Sequence, residues 1–414
     1  METAPLLKTI AKKYGTPTYV YNLDRVKEKF RTFCDAFPWP TLKVLYAMKA
    51  NYNHSILTTL KNLGAGIDAV SPGDLYMALA CGFAPSDIIY TANNMKEAEM
   101  DEVAATGVLI NIDSLSRLEK YGKKYPHTKV CLRFNPDVVD GEHDRIKTGG
   151  DLTKFGILLE DVDRVKAIVD TYGLKVIGLH EHTGSGLIKP DSILTAMGRI
   201  MSIATPQNFP DLAFLDFGGG FKVPYGPNET PVDYKQMGIK VIQLFSDFCK
   251  AYGRQLALRF EPGKYLTAQA GELLVEVNTI KHNRNRTICG TDSGFPQLIR
   301  PMFYDAYHTI INISNPKGAP FIYDICGNIC ETGDLFAKDR PLPEIREKDI
   351  LSIQDAGAYC YAMGGTYNLR PMPAEVVVEN KEASLSRRRL TSRQLVDLIW
   401  SETPGINKST NLKK

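Results

Sequence analysis

The sequence predicts an α/β protein: a (β/α)8 barrel of the TIM type followed by a mainly β C-terminal domain. Three observations point there. Eight short apolar runs alternate with amphipathic stretches through the first two thirds of the chain. Polar and charged residues gather at the C-terminal ends of those runs, the face on which such barrels build their sites. Beyond about residue 268 the pattern changes to the two-residue alternation of strands. At 414 residues the chain is too long for one core. We expect a barrel over 25–268, and a β domain, sandwich-like or barrel-like, built from 1–24 and 269–414.

The elements follow in order. Thr18–Tyr21 is a strand candidate that precedes the barrel and joins the β domain. The barrel strands are read at Leu42–Lys49, Gly66–Ser71, Ile88–Asn93, Leu109–Asp113, Val130–Asn135, Val176–His182, Phe214–Phe217 and Leu256–Glu261. Between them, His54–Leu63 carries Ile56, Leu57, Leu60 and Leu63 at helical spacing. Ser71 caps the next helix, with Pro72 in its first turn and Asp74 near its N-terminus. Leu159–Tyr172 and Val232–Tyr252 read the same way. Strands alternating with helices imply parallel sheet. After Glu261-Pro262-Gly263 the strand candidates are Gly271–Ile280, Pro320–Ile325, Asp349–Gln354 and Ala374–Val378. The last ten residues read as a disordered tail.

Composition narrows the function classes. Hydrophobic residues make up 43% and charged residues 23%, ordinary for a globular protein. A net charge of +3 leaves no field to attract nucleic acid or an acidic membrane. No apolar run approaches the roughly 20 residues that span a bilayer, and the N-terminus lacks the pattern of a signal peptide. The basic run Arg387–Arg389 reads as a solvated helix face. Eight scattered cysteines read as reduced thiols, which places the chain in the cytoplasm.

Five features carry chemistry. Lys49 ends an apolar strand, where an ammonium is costly to desolvate. Covalent attachment to an aldehyde cofactor would remove that cost, and a salt-bridged structural lysine is the alternative. Asp216-Phe217-Gly218-Gly219-Gly220 follows the seventh strand, and barrel phosphate sites favour the loops after strands seven and eight. Glu261 ends the eighth strand, where a carboxylate facing a pyridine ring would keep its nitrogen protonated; a buried ion pair is the other reading. His180 and His182 share one face of strand six. A flat imidazole can stack on a flat ring. A metal site would need further ligands from only seven histidines, two of them beyond the barrel, so no metal is expected. Cys330, in Gly327–Asp334, is a candidate proton donor or a bland thiol.

Taken in order, the stretches YAMKAN, GIDAVSPGDL, RFNPDV, GLHEHTGSG, LDFGGG, EPGKY, LIRPMFYDAYH, ICETGD, DAGAYCYAM and YNLRPMPAEV resemble the fold-type III pyridoxal-phosphate (PLP) decarboxylases. Among these the resemblance is to the diaminopimelate decarboxylase family, from about Gly15 to Leu398. It implies a PLP barrel, a C-terminal β domain and a homodimer whose subunits share active sites. It implies that Lys49 carries PLP, Asp68 supports the hydrogen-bond network, His182 stacks on the ring and Glu261 pairs with the ring nitrogen. Ser185, Gly218, Gly219, Gly220 and Tyr359 would hold the phosphate. Cys330, from the partner subunit, would protonate the product. Glu331 would meet the distal amino group of the substrate, and Arg300, Tyr304 and Tyr359 the rest of it. Residues 137–155, with His143, resemble a lid. The family's E-P-G-R stands here as Glu261-Pro262-Gly263-Lys264, which trades a planar fork for a point charge at the position of Lys264. The implied reaction is decarboxylation of meso-2,6-diaminopimelate to L-lysine. The alternative is a decarboxylase of ornithine, lysine, arginine, carboxynorspermidine or a D-amino acid; a guanidinium such as Arg300 suits a distal carboxylate and disfavours these.

Overall fold

Short aliphatic and aromatic runs form the strands, and the stretches with helical spacing form the helices. A computed structural model describes residues 2–138, 154–184 and 190–402. The chain divides into two compact units, Arg25–Ala268 and Met1–Asp24 with Gln269–Lys414.

The N-terminal strand is β1 (Thr18–Asn22). In the unit that follows it, β2 (Leu42–Ala47), β3 (Gly66–Ala69), β4 (Ile88–Tyr90), β5 (Leu109–Ile112), β6 (Lys129–Arg133), β7 (Lys175–His180), β8 (Phe214–Asp216) and β9 (Ala257–Phe260) pair in parallel and close into a barrel, β9 on β2. All eight expected strands are present, each ending within three residues of its expected end. The interior is packed in layers. Leu45, Ile89, Cys131 and Phe214, one from every second strand, form a buried cluster, and Leu109, Ile177 and Ala257 of the strands between pack against it. Such layering of alternate strands fills a barrel and leaves only its mouths open. The helices start where the caps are. Ser55 donates its backbone N–H to Asn53 at 3.0 Å, and Asp74 to Ser71 at 3.1 Å. Gly173 and Gly253 end two helices in the left-handed conformation.

The other unit is built on one nine-stranded mixed sheet. Its longest strand is β10 (Gly271–Asn283). The others are β11 (Arg286–Thr291), β12 (Ile310–Asn312), β13 (Pro320–Cys326), β14 (Leu335–Pro343), β15 (Ile350–Ile353), β16 (Ala374–Glu379) and β17 (Glu382–Arg387). β1 enters this sheet, antiparallel to β10 and parallel to β16. A helix over Ala4–Tyr14 covers one face, burying Leu7, Ile10 and Ala11 against Val20, Leu274, Val376 and Val378.

One reading needs correction. Arg387 ends a strand, and Arg387–Arg389 is not a solvated helix face. Arg387 pairs with the buried Glu375 at 2.6 Å, and Arg389 donates to the carbonyl of Pro17 at 2.7 Å. The buried Glu375 on the neighbouring strand accounts for Arg387, and the backbone just before β1 for Arg389. The expected tail and most of the expected lid, His143 included, lie outside the described residues.

Candidate active site

The barrel strands are short, so their next residues reach the mouth. After β2 a single turn over Met48–Ala50 carries Lys49. Its Nζ donates to Oδ2 of Asp68 on β3 at 2.6 Å. Asp68 is fully buried, while the Lys49 side chain keeps 38% of its surface exposed. The amine is thus both held and reachable. The other carboxylate oxygen of Asp68 has no partner among the described residues.

The neighbouring strands β7, β8 and β9 bring three more carboxyls into the interior. Glu261, just past β9, lies 3.2 Å from Nε2 of His180 at the end of β7. Asp216 ends β8 and accepts the backbone N–H of Gly218 at 3.0 Å. Glu181 accepts the hydroxyl of Thr183 at 3.0 Å. Burial pushes all three up: Glu261 to about 8, Asp216 to about 7 and Glu181 to about 8. For Glu261 the Asp68 charge adds to burial, and Lys49 and Arg133 oppose it. Burial lowers His180 to about 4, so its ring is neutral at pH 7. Among the described residues, one oxygen each of Glu261, Asp216 and Glu181 has no partner. A buried acid cluster with unpartnered oxygens fits a ligand that brings its own positive N–H. His180, Asp216 and Glu261 also offer donor atoms within 4.8 Å of one another, as a cation would require. A cation explains neither the reachable lysine nor the glycine turn.

That turn, Gly218–Gly220, follows β8. Gly218 has φ of 61° and Gly220 of 94°, which side chains rarely adopt. A Cβ on Gly219 would lie 2.4 Å from the carbonyl oxygen of Glu261. Glycine is needed for this approach. The Gly219 N–H donates to Nδ1 of His182 at 3.1 Å. That bond places the His182 proton on Nε2 and fixes the ring. Burial, with Arg133 and Lys49 nearby, holds its pKa well below the usual histidine value. The N–H groups of Gly218 and Gly219 are therefore both engaged within the protein. Lys264 is buried in the first turn after Gly263, with Nζ 5.9 Å from the Tyr225 ring. Ser185 lies outside the described residues.

Cys330, Glu331, Arg300, Tyr304 and Tyr359 belong to the β unit. Arg300 and Tyr304 open and close one short helix, as the four-residue spacing implies. Arg300 is buried and hydrogen-bonds the buried thiol of Cys360, next to the half-buried Tyr359. Cys330 is the exposed one of the eight unpaired cysteines. Asn368 donates to its Sγ at 3.3 Å, and Tyr367 hydrogen-bonds Glu331.

From the sequence Asp216 has no role of its own and His180 is only a stacking or metal-ligand candidate beside His182, although both stand in quoted motifs. The available signal was position: each is the last residue of a barrel strand. Asn368 and Tyr367 had no such signal, because only the fold brings them to Cys330.

Residues 23–268 match the family model described as "Pyridoxal-dependent decarboxylase, pyridoxal binding domain". The chain is 40% identical to a diaminopimelate decarboxylase of Methanothermobacter thermautotrophicus over 94% of this chain and 92% of that one. The structure of diaminopimelate decarboxylase from Helicobacter pylori complexed with L-lysine superposes with a TM-score of 0.88 at 28% identity, covering 95% of this chain and 99% of that one. A diaminopimelate decarboxylase from M. jannaschii in co-complex with L-lysine gives 0.86 at 30% identity, covering 94% and 93%.

Proposed function

The chain belongs to the pyridoxal-dependent decarboxylases, and on that premise we propose that it removes CO2 from meso-2,6-diaminopimelate to leave L-lysine. It is a decarboxylase, and its cofactor is pyridoxal 5'-phosphate. The chemistry rests on one observation above all: a reachable lysine amine held by a buried carboxylate, in a mouth whose other buried carboxyls each keep one oxygen without a partner among the described residues. The substrate rests on kinship with diaminopimelate decarboxylases across more than nine tenths of the chain.

When bound, the cofactor supplies the electron sink that accepts the pair left as CO2 departs. Lys49 would hold it covalently, and Asp68 keeps the amine in place. Glu261, raised in pKa by burial, would keep a ring nitrogen protonated. His182, neutral and fixed by Gly219, would offer its flat face to the ring. Tyr359, Ser185 and the turn through Gly220 hold the phosphate, while Gly218 and Gly219 admit it by close packing. Arg300 and Tyr304 take the distal carboxylate of the substrate, and Glu331 its distal ammonium. Lys264 meets an anionic group with charge but no fork. Cys330 delivers the proton to Cα. The active species is a homodimer in which Cys330 and its neighbours serve the partner's barrel. Eight unpaired thiols support a reducing cytoplasm. Among the described residues no helix is long and apolar enough to cross a membrane.

The test is CO2 release by the PLP-loaded protein on meso-diaminopimelate, with L-ornithine, L-lysine and L-arginine in parallel. Turnover of meso-diaminopimelate alone is expected. Preferred turnover of a substrate with a bare distal ammonium would overturn the substrate assignment, and with it the role of Arg300.

A further inference from the structure

Residues 367–370 and 328–331 face each other in antiparallel order. Tyr367 hydrogen-bonds Glu331. Asn368 donates to Sγ of Cys330 at 3.3 Å. Arg370 donates to the carbonyl of Asn328 at 3.0 Å. Three side chains of one turn thus grip three nearby residues of one loop. The loop is also tied from within: the Asp334 carboxylate accepts the backbone N–H of Ile329 at 2.8 Å and of Phe295 at 2.6 Å. Phe295 in turn packs on the Tyr367 ring, with centroids 5.7 Å apart.

The gripping turn is strained. Asn368 has φ of 57° and Leu369 of 54°. Asparagine tolerates that region, but for leucine it costs about 1–2 kcal/mol. In the single chain Leu369 is 53% exposed. A strained turn whose amide rests on a sulfur points to a role at that sulfur.

We infer that Asn368 is a positioning residue for the proton donor, holding Cys330 and stabilising the thiolate that forms on proton delivery, with Tyr367 and Arg370 fixing the loop on either side. The inference rests on the assignment of Cys330 as donor under the proposed function. In that step the S–H bond breaks and a C–H bond forms at Cα. The electron pair stays on sulfur, where it accepts the Asn368 N–H, and solvent later returns the proton. A hydrogen bond to a charged acceptor is stronger than one to a neutral thiol, so the amide favours the products of the transfer.

The test uses the holoenzyme with Asn368→Asp, which keeps the shape but puts a carboxylate in place of the donor, and Asn368→Gly, which keeps the backbone freedom but loses the amide. The first readout is the rate of Cys330 alkylation by iodoacetamide at pH 7.5, with Cys330→Ser as the blank. Without the amide the charge on sulfur loses a charge-assisted hydrogen bond, so alkylation about 3-fold slower or more is expected in both variants, and slowest in Asn368→Asp, whose carboxylate repels that charge. The second readout is turnover: kcat is expected to fall about 10-fold with KM little changed. Wild-type alkylation and wild-type kcat in Asn368→Asp would overturn the inference. If Cys330→Ala itself turns over at the wild-type rate, the donor assignment falls instead, so the two failures are distinguishable.

Discussion

At the scale of single residues the barrel mouth is an electrostatic deficit. Glu261, Asp216 and Glu181 are buried together, and the Lys49 ammonium already belongs to Asp68. Each of the three carboxyls binds its proton more tightly folded than unfolded. Each therefore favours the folded state at acid pH and ceases to do so as pH rises through its folded value, about 7 for Asp216 and about 8 for the others. His180 works in the opposite sense, its pKa lowered to about 4. Its contribution is lost as pH falls below the unfolded value of about 6.5 and is complete above it. Between pH 6.5 and 8 the carboxyls decide the sign. The melting temperature of the cofactor-free protein should fall by several degrees across that window. PLP loading should flatten the slope, because a positive N–H at Glu261 removes its reason to stay protonated. Thermal melts at both pH values, with and without cofactor, check this. Lys49, Glu261 and His182 were legible in the sequence because strand position marks them. The acid cluster was not, since it needs three consecutive strands, β7, β8 and β9, paired side by side.

At the scale of elements, layering explains why the strands can be short. Phe214 fills the interior beside Gly178 on β7, and a Cβ on Gly178 would lie 2.0 Å from its ring. The Arg259 guanidinium stacks on the same ring, 3.5 Å from the centroid. Gly178→Ala should cost about 1–3 kcal/mol or more through overpacking. It should lower the melting temperature of the barrel while leaving the ultraviolet and visible spectrum of bound PLP in place. A variant that melts as the wild type would contradict the layer as described. Periodicity revealed all eight barrel strands because each is a nearly continuous apolar run. It did not reveal β11, β12, β14 and β17. β12 is only three residues long, β14 contains Pro341, and β17 reads Glu-Ala-Ser-Leu-Ser-Arg with little to bury. Such strands form because β10, β13, β15 and β16 offer them a hydrogen-bonding edge. That information is tertiary, and no local pattern holds it.

At the scale of the whole molecule, the residues proposed for catalysis are divided along the chain. Lys49, Asp68, His182 and Glu261 lie in the barrel unit, and Cys330, Glu331, Arg300 and Tyr359 in the β unit. If a site draws on two subunits, defects in different units must complement. Mixing Lys49→Ala with Cys330→Ala after dissociation and reassembly should restore about a quarter of wild-type activity, since half of randomly paired dimers are mixed and each mixed dimer keeps one intact site. Recovery of nothing, with mixed dimers shown to form, would place each complete site within one subunit.

The central claim is that Lys49 carries the cofactor, and borohydride reduction of the PLP-loaded protein followed by peptide mass analysis tests it most directly. The account predicts the reduced cofactor on the peptide containing Lys49, and no stable label in Lys49→Ala. A label on another lysine, Lys264 above all, or an unlabelled Lys49 in a protein that still decarboxylates its substrate, would contradict it.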